Sequence, residues 1–332
     1  MPLISIIILN YNGKKHLQTC FESIFSQNFS DFEVILVDNN SIDDSIQFIE
    51  KNYPQIVIVR NEKNLGFAGG NNVGIARAKG EWIFLLNNDT ALAPDCLAEI
   101  AKNIADGKQK QLVFAPLMLR FDDPEKIDSG GDCLYPWCYG YKYEDKSADD
   151  SLFAETRKIS LACGGAVVFS KELLNKLGGF DEDFFLIYED VDLSLRAKRI
   201  GAEIWMLPKA KVLHKGYATI TSASALRMYY SERNRFWLKI KHYPLWTLLK
   251  YTPHFFVCLF SSLLLWTYRG AFLTWLKAYI NALLGISKML KKRRKIFSES
   301  KVSTADFESW LLKESFFKWL KSLVSPSINI KR

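Results

Sequence analysis

The 332-residue sequence is short of acidic side chains in its last third. Residues 221–332 carry 20 Lys and Arg against five Asp and Glu, a net +15, whereas residues 1–220 carry 24 against 31, a net −7. The overall +8 hides this split. A segment so basic calls for a polyanionic partner. Cysteine is sparse: six are scattered, and the closest pair, Cys133 and Cys138, has no second pair or nearby His. That excludes a zinc-ligand spacing. Cys20 falls on the apolar face of a helical pattern, as expected of a reduced, intracellular chain. Neither G-x-G-x-x-G nor a P-loop occurs, which disfavours a dinucleotide-dependent dehydrogenase and an ordinary NTPase. No basic leader or cleavage pattern precedes the first strand, so no secretion signal is expected. No internal repeat is visible. With 48% hydrophobic and 24% charged residues, disordered, collagen-like and disulfide-scaffold classes are out.

What is present reads as α/β. Ser5–Leu9 is a continuous apolar, β-branched run, the pattern of a buried parallel strand. Leu17, Cys20, Phe21, Ile24 and Phe25 then recur at helical spacing. Strands are expected at Phe32–Val37, Gln55–Arg60, Glu81–Leu86, Leu112–Leu119, Ile159–Phe169 and Ala202–Leu207. Helices are expected at Asp43–Lys51, Asn71–Lys79, Pro94–Ala105, Glu172–Leu177 and Glu189–Ile200. The alternation implies a mainly parallel sheet with helices on both faces. Residues 120–158 show no periodicity and read as a variable inserted loop.

Ligands of such sheets bind beyond the carboxyl ends of the strands. Polar clusters stand at three of those ends: Asn10-Tyr11-Asn12-Gly13, Asp38-Asn39-Asn40-Ser41 and Asn87-Asn88-Asp89. Each alone is equally a turn; three on one edge are harder to dismiss. The glycine-rich run Asn64–Asn72 precedes a helix. It offers either backbone N–H groups to a phosphate or close helix packing. Asp89 ends a buried strand, where a divalent cation such as Mg²⁺ or Mn²⁺ would neutralise it and bridge to a diphosphate; a helix N-cap is the plainer alternative. Glu189, Asp190 and Asp192 open a helix, which the helix dipole alone would favour. One of them is a candidate general base. Asp190 and Asp192 point in different directions, so at most one is central. His214, after the last strand, is either structural or a further metal ligand.

The order of these motifs resembles the family-2 glycosyltransferases of the GT-A fold. The resemblance is carried by SIIILNYNGKKHLQTCFESIFSQ, EVILVDNNSIDDS, NLGFAGGNNVGIARAKGEWIFLLNNDT and GGAVVFSKELLNKLGGFDEDFFLIYEDVDLSLRAKRIG, with His214 beyond them. It spans about two-thirds of the chain. YYSERNRFWL at Tyr229–Leu238 further resembles the bacterial rhamnosyltransferase-like branch that builds surface polysaccharides. The resemblance implies a nucleotide-diphosphate sugar donor and inversion at the anomeric carbon; a lipid-linked or glycan acceptor is expected with it, the former suited by the membrane placement below. It implies that Asp38 contacts the base, with Asn10, Tyr11 and Asn12 alongside and Asn64, Gly66 and Asn88 near the nucleotide sugar. It makes Asp89, last in the triplet whose first acid is here Asn87, a metal ligand together with His214. It makes Asp190 the base, with Gly164, Gly165 and Glu189 on the acceptor side. A sugar-phosphate nucleotidyltransferase is the competing enzyme, but only Gly13 stands where its glycine-rich loop belongs. A catalytically inactive scaffold is the competing non-enzyme.

The chain is thus expected to divide into a catalytic domain at 1–220 and a helical basic region at 221–332. Within the latter, Tyr251–Tyr268 is uncharged for 18 residues, borderline for a span. Basic residues flank it on both sides, which disfavours a single crossing. An in-plane or re-entrant placement on the cytoplasmic leaflet, against anionic lipid, is preferred. No nucleic-acid module appears. A soluble helical subdomain or an oligomer interface stays open.

Overall fold

The computed structural model describes residues 1–106, 112–143, 146–216 and 224–324. The expected domain boundary at residue 220 lies outside the described residues. The chain runs β1 (Ile4–Asn10), α1 (Lys14–Phe25), β2 (Phe32–Asp38), α2 (Ser45–Asn52), β3 (Val57–Arg60), α3 (Gly66–Arg77), β4 (Trp82–Asn87), β5 (Thr90–Leu92), α4 (Cys96–Asp106) and β6 (Leu112–Arg120). Then follow β7 (Ile127–Ser129), β8 (Cys133–Leu134), β9 (Gly140–Tyr141), β10 (Arg157–Lys158), β11 (Ala166–Ser170), α5 (Lys171–Leu177), α6 (Glu189–Arg199) and β12 (Glu203–His214). Six helices complete it: α7 (Ala225–His242), α8 (Leu245–Tyr268), α9 (Phe272–Leu284), α10 (Ile286–Glu299), α11 (Thr304–Ser309) and α12 (Phe316–Val324).

The main sheet has the order β10-β12-β6-β11-β4-β1-β2-β3. β1, β2, β3 and β4 are parallel, as are β6 and β12; β11 enters antiparallel between β4 and β6. The sheet is therefore mixed but mainly parallel through β1–β4, in line with the expected fold class. Ile4, Ile6, Ile7 and Ile8 are fully buried because both faces of β1 are covered. One face packs Leu17, Phe21 and Ile24 of α1 with Leu97 and Ile100 of α4; the other packs Ala68 and Ile75 of α3 with Leu173 and Leu193. Each such large side chain contributes about 1.5–3 kcal/mol when withdrawn from water.

Register places the chemistry. Asn10 is opposite Asp38, and Leu9 is opposite Asn87. The three polar strand ends therefore lie side by side. β11 begins opposite Leu86, so Gly164 and Gly165 reach the end of β4. β12 runs past Leu207 to His214 through a register shift between Leu207 and Lys211. It is longer than expected because the irregularity absorbs Pro208, which has no N–H to give. β5 then brings Thr90 opposite His214.

Two further expectations are corrected. The glycine-rich run is not a loop before a helix: α3 begins at Gly66. A Cβ at Gly70 would lie 2.3 Å from Leu9 and one at Gly74 2.4 Å from Ile7. Close packing of α3 on β1 explains those glycines. Residues 120–158, read as a loop, supply β7 to the edge of β6 and a small β8–β9 hairpin; only Ala166–Ser170 of the expected Ile159–Phe169 strand is extended in the sheet.

The C-terminal helices pack onto the sheet domain rather than trailing from it. Trp237 and Leu238 of α7 share a buried cluster with Phe184, Leu195, Tyr243, Met289 and Phe307. α8 is the one helix among the described residues long and apolar enough to cross a membrane by length and composition. It buries only Thr247, Cys258 and Ser262, and contains Lys250 and Pro253. Trp246, Phe256, Phe260 and Leu264 of α8 are exposed, as are Leu273, Ile280 and Leu284 of α9.

Candidate active site

One side of the candidate site is stitched together by asparagines. Asn10 is fully buried; its Nδ2 donates to Asp38 Oδ1 at 3.2 Å and Ser41 Oγ at 3.1 Å. Asn88 Nδ2 donates to Asn10 Oδ1 at 2.9 Å. Asp38 Oδ2 accepts the Ser41 N–H. Asn12 holds a left-handed conformation (φ 52°) and accepts the Ile42 N–H. Tyr11 lies exposed on the lip. Asn39, which the sequence reading did not single out, donates to Gly66 O at 2.9 Å and accepts from Asn61 and Leu65. Asn64 Oδ1 accepts the Gly66 N–H at 2.8 Å. Gly66 has φ 71°, and a Cβ there would lie 2.5 Å from the Phe185 carbonyl. Only glycine fits such an approach.

Beside this cradle lies an Asp–His–Asp row. His214 Nε2 is 3.4 Å from Asp89 Oδ1, and its Nδ1 is 2.8 Å from Asp128 Oδ2. Burial opposes the imidazolium, but the bonds to Asp128 and Asp89 outweigh it and carry the His214 pKa up to about 9. Burial likewise opposes the Asp89 carboxylate, yet His214 holds it below its ordinary range. Asp128 comes from the stretch read as a variable loop, and no motif announced it. With Nδ1 committed to Asp128, Nε2 is aimed at Asp89, the arrangement by which a carboxylate orients a metal-ligating His. One carboxylate and one imidazole fit a hard divalent cation that keeps its remaining positions for water and phosphate oxygen. Among the described residues no group of three His, Cys, Asp or Glu forms a full protein cage. His16 is buried near Asp89 with neither ring nitrogen partnered, and burial lowers its pKa.

The third corner is the start of α6. Asp190 Oδ2 accepts the Gly164 N–H at 2.9 Å, and Oδ1 accepts the Val191 N–H at 2.8 Å. A Cβ at Gly164 would lie 3.2 Å from Asp190 Cβ, and Gly165 O accepts the Asn87 N–H. The two glycines thus join Asp190 to the end of β4. Glu189 is buried with Oε2 unpartnered; burial and the neighbouring Asp190 push its pKa well up. Asp192 turns the other way. It is fully buried and pairs with Lys241, Arg196 and His242 at 2.5–2.8 Å. Asp132, also from the inserted stretch, is pushed up to about 6, first by burial and further by Asp190 and Asp128. Burial raises the Cys163 thiol far out of the nucleophilic range.

The chain belongs to glycosyl transferase family 2, whose family model matches residues 5–178. It is 31% identical over 199 residues to an uncharacterised glycosyltransferase of Haemophilus influenzae, a match covering 58% of this chain and 61% of that protein. It is 24% identical over 245 residues to the N-acetylglucosaminyl-diphospho-decaprenol L-rhamnosyltransferase of Mycobacterium tuberculosis, covering 65% and 78%. Its fold is similar to that of a mannosyltransferase from Pyrobaculum calidifontis solved with GDP-mannose and Mn²⁺, with a TM-score of 0.52, 16% identity and coverage of 90% and 86%. The fold is therefore GT-A, and that coverage of this chain reaches into the C-terminal helices.

Proposed function

We propose that the protein transfers a sugar from a nucleoside-diphosphate donor to a hydroxyl of a lipid-linked or polysaccharide acceptor, with inversion. The observation that carries this reading is the convergence of Asp190, the Asp89–His214 pair and the Asn10–Asp38 cradle at one edge of the sheet. A divalent cation held by Asp89 and His214 would supply charge to the departing diphosphate. Asp190 accepts the proton of the acceptor hydroxyl as its oxygen attacks C1 from the face opposite the leaving group. The two backbone N–H bonds hold that carboxylate in place without an added cation. One displacement needs one carboxylate base; a retaining route needs a second as nucleophile. Glu189 is buried, and Asp192 is engaged in ion pairs, so neither supports retention.

The finer assignments are part of the same proposal. The mycobacterial relative supports rhamnose as the transferred sugar and a lipid diphosphate acceptor. The exposed apolar side chains of α8 and α9 support an in-plane seat on the cytoplasmic leaflet. Asn87, in place of an acid, favours one second reading, a catalytically inactive scaffold. Asp190→Asn separates the two. Turnover should fall while nucleotide-sugar binding persists; activity indifferent to this change would point to another base, and a wild type without turnover would favour the scaffold.

A further inference from the structure

The loop before Asp190 is held in a conformation that its own residues disfavour. Phe185, Ile187 and Tyr188 all have positive φ, at 62°, 67° and 71°. None is glycine, and such conformations persist only where the surroundings over-determine them. The over-determining groups come from α7. Asn234 is fully buried, and its Nδ2 shares its two N–H groups among three carbonyls, Phe184 at 2.8 Å, Leu186 at 2.8 Å and Ile187 at 2.7 Å. Arg233 Nε donates to Asn234 Oδ1 at 2.9 Å, so the amide is oriented with its N–H groups toward the loop. Arg233 Nη2 donates to Asp183 O and Phe184 O. The same loop touches both halves of the site. The Phe185 carbonyl accepts the Ala68 N–H at 3.1 Å beneath Gly66, its ring stacks on Tyr230 of α7 at 5.0 Å, and Tyr188 leads directly into Glu189 and Asp190.

We propose that Asn234 is a positioning residue for the transfer reaction. By gathering three carbonyls it fixes the left-handed turn that starts α6 and so aims Asp190 between the acceptor and the donor's C1. Arg233 keeps the Asn234 amide turned the right way. α7 is therefore part of the catalytic machinery, not a removable tether to a membrane. The inference rests on Asp190 being the base.

The test uses the full chain, Asn234→Ala and the isosteric Asn234→Asp, which keeps the shape but loses the N–H donors. The probes are Mn²⁺ with UDP, dTDP or GDP, and the sugar nucleotide that a panel identifies for wild type. Because a misplacement of about 1 Å costs roughly 10²-fold, kcat should fall by that order in both variants while the donor KM moves by less than about threefold. Amides of Phe185 and Asp192 should exchange with deuterium about tenfold faster, with β1 unchanged. A purely structural role would lower the melting midpoint and leave kcat of the folded fraction intact; that result, with wild-type loop exchange, overturns the proposal. If neither variant folds, the wild-type exchange pattern decides. Loop amides that open together with α7 support the clamp, and loop amides that exchange well ahead of α7 overturn it. Asp190→Asn in parallel keeps the two ideas apart. An inactive Asp190→Asn beside a fully active Asn234→Asp sinks this inference alone. An active Asp190→Asn beside faster loop exchange in Asn234→Asp sinks the base assignment and leaves the clamp.

Discussion

The sheet domain and the C-terminal helices hold their polar groups for different ends. At the sheet edge, Asn10, Asp38, Asp89 and Asp190 sit at or just beyond strand or helix termini: Asn10 bonds Asp38, Asp89 meets His214, and Asp190 accepts backbone N–H groups. In the helices, polar groups, some buried and some exposed, reach back into the sheet domain. Lys241 meets Asp181 and Asp192, Lys288 meets Asp183, Lys292 meets both Asp181 and Asp183, and His242 meets Asp192. Part of the charge asymmetry is therefore an intramolecular dock. The basic segment finds some of its anionic partner in the acidic half of its own chain. Composition shows how much charge each half carries but not where that charge lands.

The comparison can be broken at several points. The largest expected effect is at the sheet edge: Asp190→Asn should lower turnover roughly 10³-fold or more while leaving donor-induced thermal stabilisation in place. Second is the dock. Asp192→Ala would leave Lys241 and Arg196 facing a buried gap and should destabilise by about 3–5 kcal/mol, read by denaturant unfolding. An effect near zero would mean that the helices are not energetically coupled to the domain. Third, Asp89→Ala should remove Mn²⁺-dependent stabilisation and cut kcat/KM about 10²-fold; Asp128→Asn should weaken Mn²⁺ binding by 10- to 100-fold through His214 alone. Fourth, Gly74→Ala forces a methyl against Ile7 and should cost about 1–3 kcal/mol, less the gain in helix propensity. Smallest is a pH effect. The folded-state pKa of Asp132, about 6, lies above its unfolded value. Its contribution to stability is thus full below about pH 4 and is lost as pH rises through 6. Asp132→Asn should stabilise by about 1–2 kcal/mol at pH 8 and change little at pH 4, measured by unfolding at both.

The two regions also differ in what their sequences disclose. β1, β2 and β4 were legible because unbroken apolar runs end in turn-forming residues, and that pattern also marks the edge where the candidate site lies. The start of α3 was not legible: three glycines among the nine residues Asn64–Asn72 argue locally for a loop, and only packing against Leu9 and its neighbours overrides that propensity. The extension of β12 to His214 was hidden by Pro208. Asp128 lay in an aperiodic stretch with no spacing to single it out. Asn234 sits in an ordinary helical pattern, and its role exists only once the 184–188 loop meets it. The candidate base and metal pair were found through the order of motifs. The groups that hold them in place needed three dimensions.

The central claim, a donor and cation site at the carboxyl edge of the sheet, is tested most directly by thermal unfolding with a panel of nucleoside-diphosphate sugars, with and without Mn²⁺. Since a ligand that binds only the folded state must raise the midpoint, one donor should stabilise the wild type in a metal-dependent manner and fail to do so in Asp89→Ala. A folded protein that no donor stabilises with Mn²⁺ present would contradict the account and favour a non-catalytic scaffold.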